Sequence, residues 1–295
     1  MGEPSGGLSV SGVSVTFGGL AALDDVSMSV DEGEVVGVIG PNGAGKTTLF
    51  NVVCGFVRPT AGRISYRGRL LRHHNPHDLA PLGIARTLQG VGLWPGMSVA
   101  ENVMAGAQAS LRTNFVSALL GTWRASGEEQ RLRSRTMDLL DQLGVAEFAD
   151  WPPTALPYAI QKRVALARAL ISEPTLLLLD EPASGLSGAE MEELRALIVR
   201  LRGSIGVMLV EHHMDLVMST CDRLVVLNFG RVISAGTPEQ VRADPEVTTA
   251  YLGEDVEAIR PGGAAAKHGE ASQHLDAARG SEGDGGSGGP DSAGG

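Results

Sequence analysis

A chain of 295 residues with 34 acidic against 24 basic side chains has a formal net charge of −10. That length suffices for a real core, and the charge argues against a general nucleic-acid binder, which would carry basic stripes. No apolar run approaches the roughly 20 residues that span a bilayer as a helix, and the N-terminus lacks a secretory pattern. The sequence therefore predicts a soluble cytoplasmic protein that meets a membrane only through a partner. Its two cysteines, Cys54 and Cys221, lie far apart without metal-ligand spacing. They read as buried small apolar side chains in a reducing compartment.

In chain order, Leu8, Val10, Val13, Val15 and Phe17 alternate with smaller or polar residues, as do Val26, Met28 and Val30 before an Asp31-Glu32-Gly33 turn, which predicts strands. Val35 to Ile39 is a short β-branched run. It leads into Gly40-Pro41-Asn42-Gly43-Ala44-Gly45-Lys46-Thr47-Thr48, a complete phosphate-binding loop. Glycines let bare backbone N–H groups wrap a triphosphate; Lys46 reaches the β- and γ-phosphates, and the Thr47 hydroxyl ligates Mg²⁺. Thr48 to Val53 continues at helical spacing, which sets the phosphates at a helix N-terminus. The run implies that the chain binds a nucleoside triphosphate.

Further on, Gly62 to Leu71 reads as a hairpin turning near Arg67-Gly68, and residues 75–170 read as mostly helical. Thr175 to Leu179 and Gly206 to Val210 are unbroken apolar runs, as expected of parallel strands buried on both faces. Glu190 to Leu201 is an amphipathic helix, and Arg223 to Ser234 a hairpin around Asn228-Phe229-Gly230. Thr237-Pro238-Glu239-Gln240 has the form of a capping box, and Asp244-Pro245 opens a second short helix. From about residue 256 the composition collapses into Gly, Ala, Ser, Asp and Glu, too poor in apolar side chains to offset ordering entropy, so residues 256–295 should be disordered. Strands alternating with helices predict an α/β fold with a mostly parallel core sheet and a helical subdomain inserted between its halves.

Leu176 to Leu179 ends in Asp180-Glu181-Pro182. A carboxylate at the end of a buried strand is where phosphate-loop proteins hold Mg²⁺, which suits Asp180; Glu181, one residue on, would polarise the attacking water. These residues carry a resemblance. The loop at 40–48, Gln89, the Leu156-Pro157-Tyr158-Ala159-Ile160-Gln161-Lys162-Arg163 segment, Asp180-Glu181 and His212 fall in the order and at the spacing of ABC transporter ATP-binding subunits. The match covers residues 8–253. The chain resembles in particular the longer ATPase subunit of branched-chain amino acid importers, through Phe17 to Leu23, Gly83 to Gln89, Val210 to Met214, the stretch from Gly236 to Gly253, and the insertion around 110–135 with Phe115, Leu119 and Leu120.

The resemblance implies a P-loop ABC ATPase core over residues 8–255. It has a mostly parallel sheet with an N-terminal antiparallel β-subdomain, and a helical insertion at about 87–170. It implies ATP and Mg²⁺ as ligands. Phe17 would stack on adenine, although a lone aromatic ending a strand also suits core packing. Asn42, Gly43, Ala44, Gly45, Lys46, Thr47 and Thr48 would cradle the phosphates, with Thr47, Gln89 and Asp180 around the metal. Gln89 would sense the γ-phosphate, and His212 would contact it and hold the attacking water; His213 reads as an ordinary neighbour. Implied partners are two membrane permeases, a second related ATPase subunit and, indirectly, a solute-binding protein, with the chain peripheral on the inner membrane face.

One segment departs from the family pattern. The signature loop ordinarily carries serine and glycine where this chain has Pro157 and Ala159, and Ala183 to Ser187 lacks an aspartate often found there. Proline suits a helix start but supplies neither hydroxyl nor N–H, and Ala159 adds a methyl where close approach is needed. Two rival readings stay open: a soluble, non-transport ABC ATPase, and a nucleotide-binding subunit with weakened hydrolysis. The tail yields a direct expectation. Truncation after Asp255 leaves folding and nucleotide affinity unchanged; a melting temperature lowered by several degrees would show that the tail packs.

Overall fold

Elements appear in the order β1 (Leu8–Phe17), β2 (Leu20–Val30), β3 (Val35–Ile39), α1 (Lys46–Val53), β4 (Ala61–Tyr66), β5 (Arg69–Leu70), β6 (Ile84–Arg86) and α2 (Val99–Gly106). Then follow α3 (Trp123–Gln142), α4 (Tyr158–Leu170), β7 (Leu176–Asp180), α5 (Gly188–Leu201), β8 (Gly206–Val210), α6 (Met214–Thr220), β9 (Arg223–Asn228), β10 (Arg231–Gly236), α7 (Pro238–Ala243) and α8 (Pro245–Ala250). The computed structural model describes residues 6–87, 91–107 and 123–251. Gln89, Phe115, Leu119, Leu120 and the tail at 256–295 lie outside the described residues, and with them the expectations placed there.

The main sheet has six strands in the order β10-β9-β3-β8-β7-β6. All neighbours pair in parallel except the edge strand β10, which runs antiparallel to β9. The unbroken apolar strands lie innermost: β3, β7 and β8 are buried at every position. A four-stranded antiparallel sheet, β2-β1-β4-β5, packs against it through a shared core that also takes in Leu49, Phe50, Val52 and Val53 of α1. This is the α/β arrangement that the sequence predicts. The hairpin turns fall as expected: Arg67 and Gly68 (φ 49° and 74°), and Phe229 and Gly230 (φ 44° and 79°), all adopt left-handed backbone. Thr237 caps α7, its hydroxyl accepting the Gln240 N–H while Gln240 returns a bond to the Thr237 N–H.

One expectation needs refinement. The stretch from 75 onward is not simply helical, because β6 pairs with Leu176 to Leu178 as an edge strand. Three residues are too short for any periodic signal. β2, Leu20–Val30, falls within the stretch 8–36 that reads as strands, and its pairing with β1 carries register shifts between Val10 and Thr16.

The helical segments are fastened by polar side chains. Asn102, fully buried, donates to the carbonyls of Trp94, Met97 and Ser98 and accepts from the Trp94 N–H. Arg168 of α4 lies 5.1 Å from the Trp94 ring and donates to the Gly92 carbonyl at 2.7 Å. Both cysteines are buried, and burial pushes each thiol up to about 12. Among the described residues no helix is long and apolar enough to cross a membrane.

α2 meets α4 at Gly106, where a Cβ would fall 2.0 Å from the Arg168 carbonyl oxygen. Gly106→Ala must therefore part the helices. A stability loss of about 1–3 kcal/mol is expected from urea unfolding; an unchanged midpoint would show that the crossing yields freely.

Candidate functional site

β3, β8 and β7 lie side by side and run parallel, so their C-terminal ends share one edge of the sheet. The sequence sets the phosphate loop after β3, Glu211-His212-His213 after β8, and Asp180-Glu181 at the end of β7. This is the edge at which open α/β sheets bind ligands.

The phosphate loop is held from behind. Gly40 has φ 151°, and a Cβ there would fall 2.1 Å from the Leu227 carbonyl oxygen; at Gly45 (φ 103°) it would fall 2.7 Å from that of Ala22. The β9–β10 turn backs the loop as well, with the Gly230 N–H donating to the Ala44 carbonyl and the Asp24 N–H to the Gly230 carbonyl. Lys46 is buried, and its Nζ donates to the carbonyls of Gly40 (2.6 Å) and Pro41 (2.9 Å). Asn42, Gly43 and Thr47 are exposed, Thr48 is half-buried, and Ala44 is buried under the turn. Phe17, at the end of β1, is 52% exposed, so its ring is not core packing.

Asp180 is only 7% exposed, and its burial, with Glu181 and Glu211 beside it, pushes its carboxyl up to about 6. A buried carboxylate among other carboxylates suits a hard divalent cation, and Thr47, exposed on the phosphate loop, carries a hydroxyl of the kind such a cation takes. Glu181 has left-handed backbone, φ 47°, and its N–H is tied to the Val210 carbonyl at 2.9 Å. Such strain in a non-glycine residue persists only where the surroundings over-determine it.

The surroundings here include groups that the sequence reading passed over. Lys162 of α4 donates to the carbonyls of Pro182 (2.7 Å) and Ser184 (2.5 Å), and burial lowers its pKa. Glu211 is fully buried and accepts the Ala183 N–H at 2.7 Å. His213, read as an ordinary neighbour, bonds Glu211 through Nδ1, while His212 is half-exposed. Only the charged Glu211 at the end of an apolar strand offered a sequence signal. Three donor atoms of Glu211, His212 and His213 lie within 4.8 Å of one another, yet the Glu211 Oε2 atom already takes N–H bonds from both histidines' backbones and the His213 ring.

The departed signature sits where the sequence placed it. α4 begins at Tyr158 with Pro157 as its N-cap (φ −55°, ψ 149°), and no side chain caps it. Ala159 is buried, with Tyr158 exposed beside it. Ala159 shares a cavity of about 500 Å³ with Asp180, Glu181 and Lys162, and no residue of 40–48 lines that cavity.

Two family models match the sequence: one described as ABC transporter over residues 23–184, the other as branched-chain amino acid ATP-binding cassette transporter over residues 231–257. The chain is 42% identical over 249 residues to the high-affinity branched-chain amino acid transport ATP-binding protein BraF of Pseudomonas aeruginosa, covering 84% of this chain and 98% of that one. It is 41% identical to LivG of Escherichia coli, of the same description, with the same coverage. Lipopolysaccharide export system ATP-binding protein LptB of Haemophilus influenzae is 33% identical over 79% of this chain and 91% of its own. Among solved structures, an ATP-binding cassette of an ABC transporter in its ADP conformation is 30% identical, with a TM-score of 0.72 over 84% of this chain and 98% of that one.

The Lys162 bonds can be tested alone. Lys162→Met keeps the apolar stem and removes the donors to Pro182 and Ser184. The expected loss is about 1.5–3 kcal/mol of stability per lost bond at most, with faster proteolytic cleavage in 182–187. Unaltered stability and cleavage would show that the loop holds itself.

Proposed function

The chain belongs to the ABC transporter ATP-binding family, and we propose that it hydrolyses ATP to power an importer of branched-chain or other hydrophobic amino acids. The relatives' names support this, as does the C-terminal match over residues 231–257. One observation carries the chemistry: the phosphate loop, Asp180-Glu181 and His212 follow three adjacent parallel strands at one sheet edge.

In this reading Lys46 leaves the Gly40 and Pro41 carbonyls and turns to the β- and γ-phosphates, while the loop N–H groups and the α1 N-terminus take the remaining charge. Phe17 offers its exposed face to adenine. Thr47, Asp180 and Gln89 would hold Mg²⁺, which when bound neutralises charge on the β- and γ-phosphate oxygens. Glu181 orients and polarises the attacking water, and His212 steadies the γ-phosphate. The domain runs over residues 8–255 with its helical insertion at about 87–170.

ATP-binding subunits of importers work with membrane permeases, and the finer assembly follows the same proposal. Two permeases dock on the helical insertion at the inner face of the membrane, a solute-binding protein delivers the solute, and a second ATPase, identical or related, closes against this one. Nucleic acid is not expected as a partner, given the net charge of −10.

Two predictions follow the division of labour. Lys46→Ala should abolish ATP binding, whereas Glu181→Gln should preserve binding and stop turnover, because the lysine acts in the ground state and the glutamate in the transition state. Nucleotide binding and steady-state hydrolysis decide this, and unchanged turnover in Glu181→Gln would remove Glu181 from the mechanism. The second concerns the departed signature, which in a dimer faces the partner's ATP. The missing serine hydroxyl removes one charge-assisted bond, on the order of 1.5–3 kcal/mol, or roughly ten- to a hundred-fold in rate. The site that Pro157 and Ala159 complete should be the slow one, and Pro157→Ser with Ala159→Gly should quicken it in the reconstituted pair. If blocking the partner's catalytic glutamate costs more activity than blocking Glu181, the asymmetry runs the other way.

A further inference from the structure

Glu211 is a fully buried carboxylate, and withdrawing such a charge from water costs several kcal/mol unless its lone pairs are filled. They are filled by N–H donors. Oε1 accepts from Ala183 at 2.7 Å, and Oε2 from the backbones of His212 (2.9 Å) and His213 (3.2 Å) and from the His213 ring at Nδ1 (2.9 Å).

These donors come from the two segments that matter for turnover. Ala183 lies two residues beyond Glu181, so one oxygen fixes the loop that carries the proposed water-polarising group. The other fixes the loop that carries His212. A carboxylate accepting from Nδ1 also sets the His213 tautomer, placing the proton on Nδ1. The His213 ring then stands 4.2 Å from the His212 ring, at 36°, and backs it as a wall. His212 itself is half-exposed and has no other ring beside it among the described residues.

We infer that Glu211 and His213 are positioning residues for ATP hydrolysis: the buried carboxylate spaces the Glu181 and His212 loops against each other, and the His213 ring it orients holds His212 toward the γ-phosphate. The inference rests on the proposed roles of Glu181 and His212. Glu211 is fully buried and the His213 ring is tied to it through Nδ1, so the pair is expected to act on the rate and not on binding.

The test uses the purified full-length chain, with ATP affinity, KM and kcat measured for Glu211→Gln, His213→Ala, His212→Ala and the double variant His212→Ala/His213→Ala. Glutamine is isosteric, but whichever way its amide turns, its nitrogen meets an N–H donor, either that of Ala183 or those at the Oε2 position. Glu211→Gln should lower kcat on the order of ten- to a hundred-fold, the usual effect of losing an orienting partner, with ATP affinity and KM unchanged. His213→Ala should lower kcat in the wild-type background and have no further effect when His212 is already alanine. Full additivity of His212→Ala and His213→Ala, or a loss in Glu211→Gln shared equally by affinity and kcat, overturns the inference. The reading beneath it fails separately: if His212→Ala leaves turnover intact, the role of His212 falls, whereas a silent His213→Ala beside a dead His212→Ala sinks the positioning pair alone.

Discussion

A site built from bare backbone N–H groups must stay open without any side chain inside to prop it, and the Gly40–Lys46 loop meets that constraint from outside. Leu227, Ala22 and Gly230 press on its glycines from behind, leaving no room for a Cβ at Gly40 or Gly45. From the front, Lys46 bridges two carbonyls of its own loop. The backing residues come from β2 on one side and from β9 and the β9–β10 turn on the other, and the two strands belong to different sheets. The union of the antiparallel and parallel sheets is therefore also what shapes the phosphate cradle, and a fault in either sheet would be felt there.

The loop after β7 is governed in a comparable way, by clamps from opposite sides. Lys162 reaches its carbonyls from α4, and Glu211 takes one of its N–H groups from the end of β8. Held between them, Glu181 keeps a left-handed backbone that an unconstrained glutamate would leave. Lys162 lies four residues beyond Tyr158, the first residue of α4, so a movement of that helix must pull directly on the segment that follows Glu181.

What could be read from the sequence follows from what leaves a residue-type signature. The runs 175–179 and 206–210 were legible because strands covered on both faces must be apolar throughout. The phosphate loop was readable as a glycine-rich motif after such a strand and Asp180 as a carboxylate at the end of one, whereas His212 came only from the family resemblance. β6 was not legible, being three residues whose strand character comes only from pairing with Leu176 to Leu178. The Lys162 and Glu211 bonds escaped for a different reason: their partners are mostly main-chain groups, which every residue possesses. His213 looked ordinary because the bond its ring makes is to its own neighbour but one.

The two thiols have a practical corollary. Cys54 and Cys221 are buried and held protonated, each pushed up to about 12, so neither presents a thiolate at neutral pH. To maleimide and disulfide reagents the folded chain behaves as though it had no cysteine. A fluorophore or spin label can then be attached at one engineered surface position without stripping the native thiols from the core. Phe229 is 86% exposed at the tip of the turn behind the phosphate loop, so a label carried by Phe229→Cys would ride on the wall that shapes the cradle.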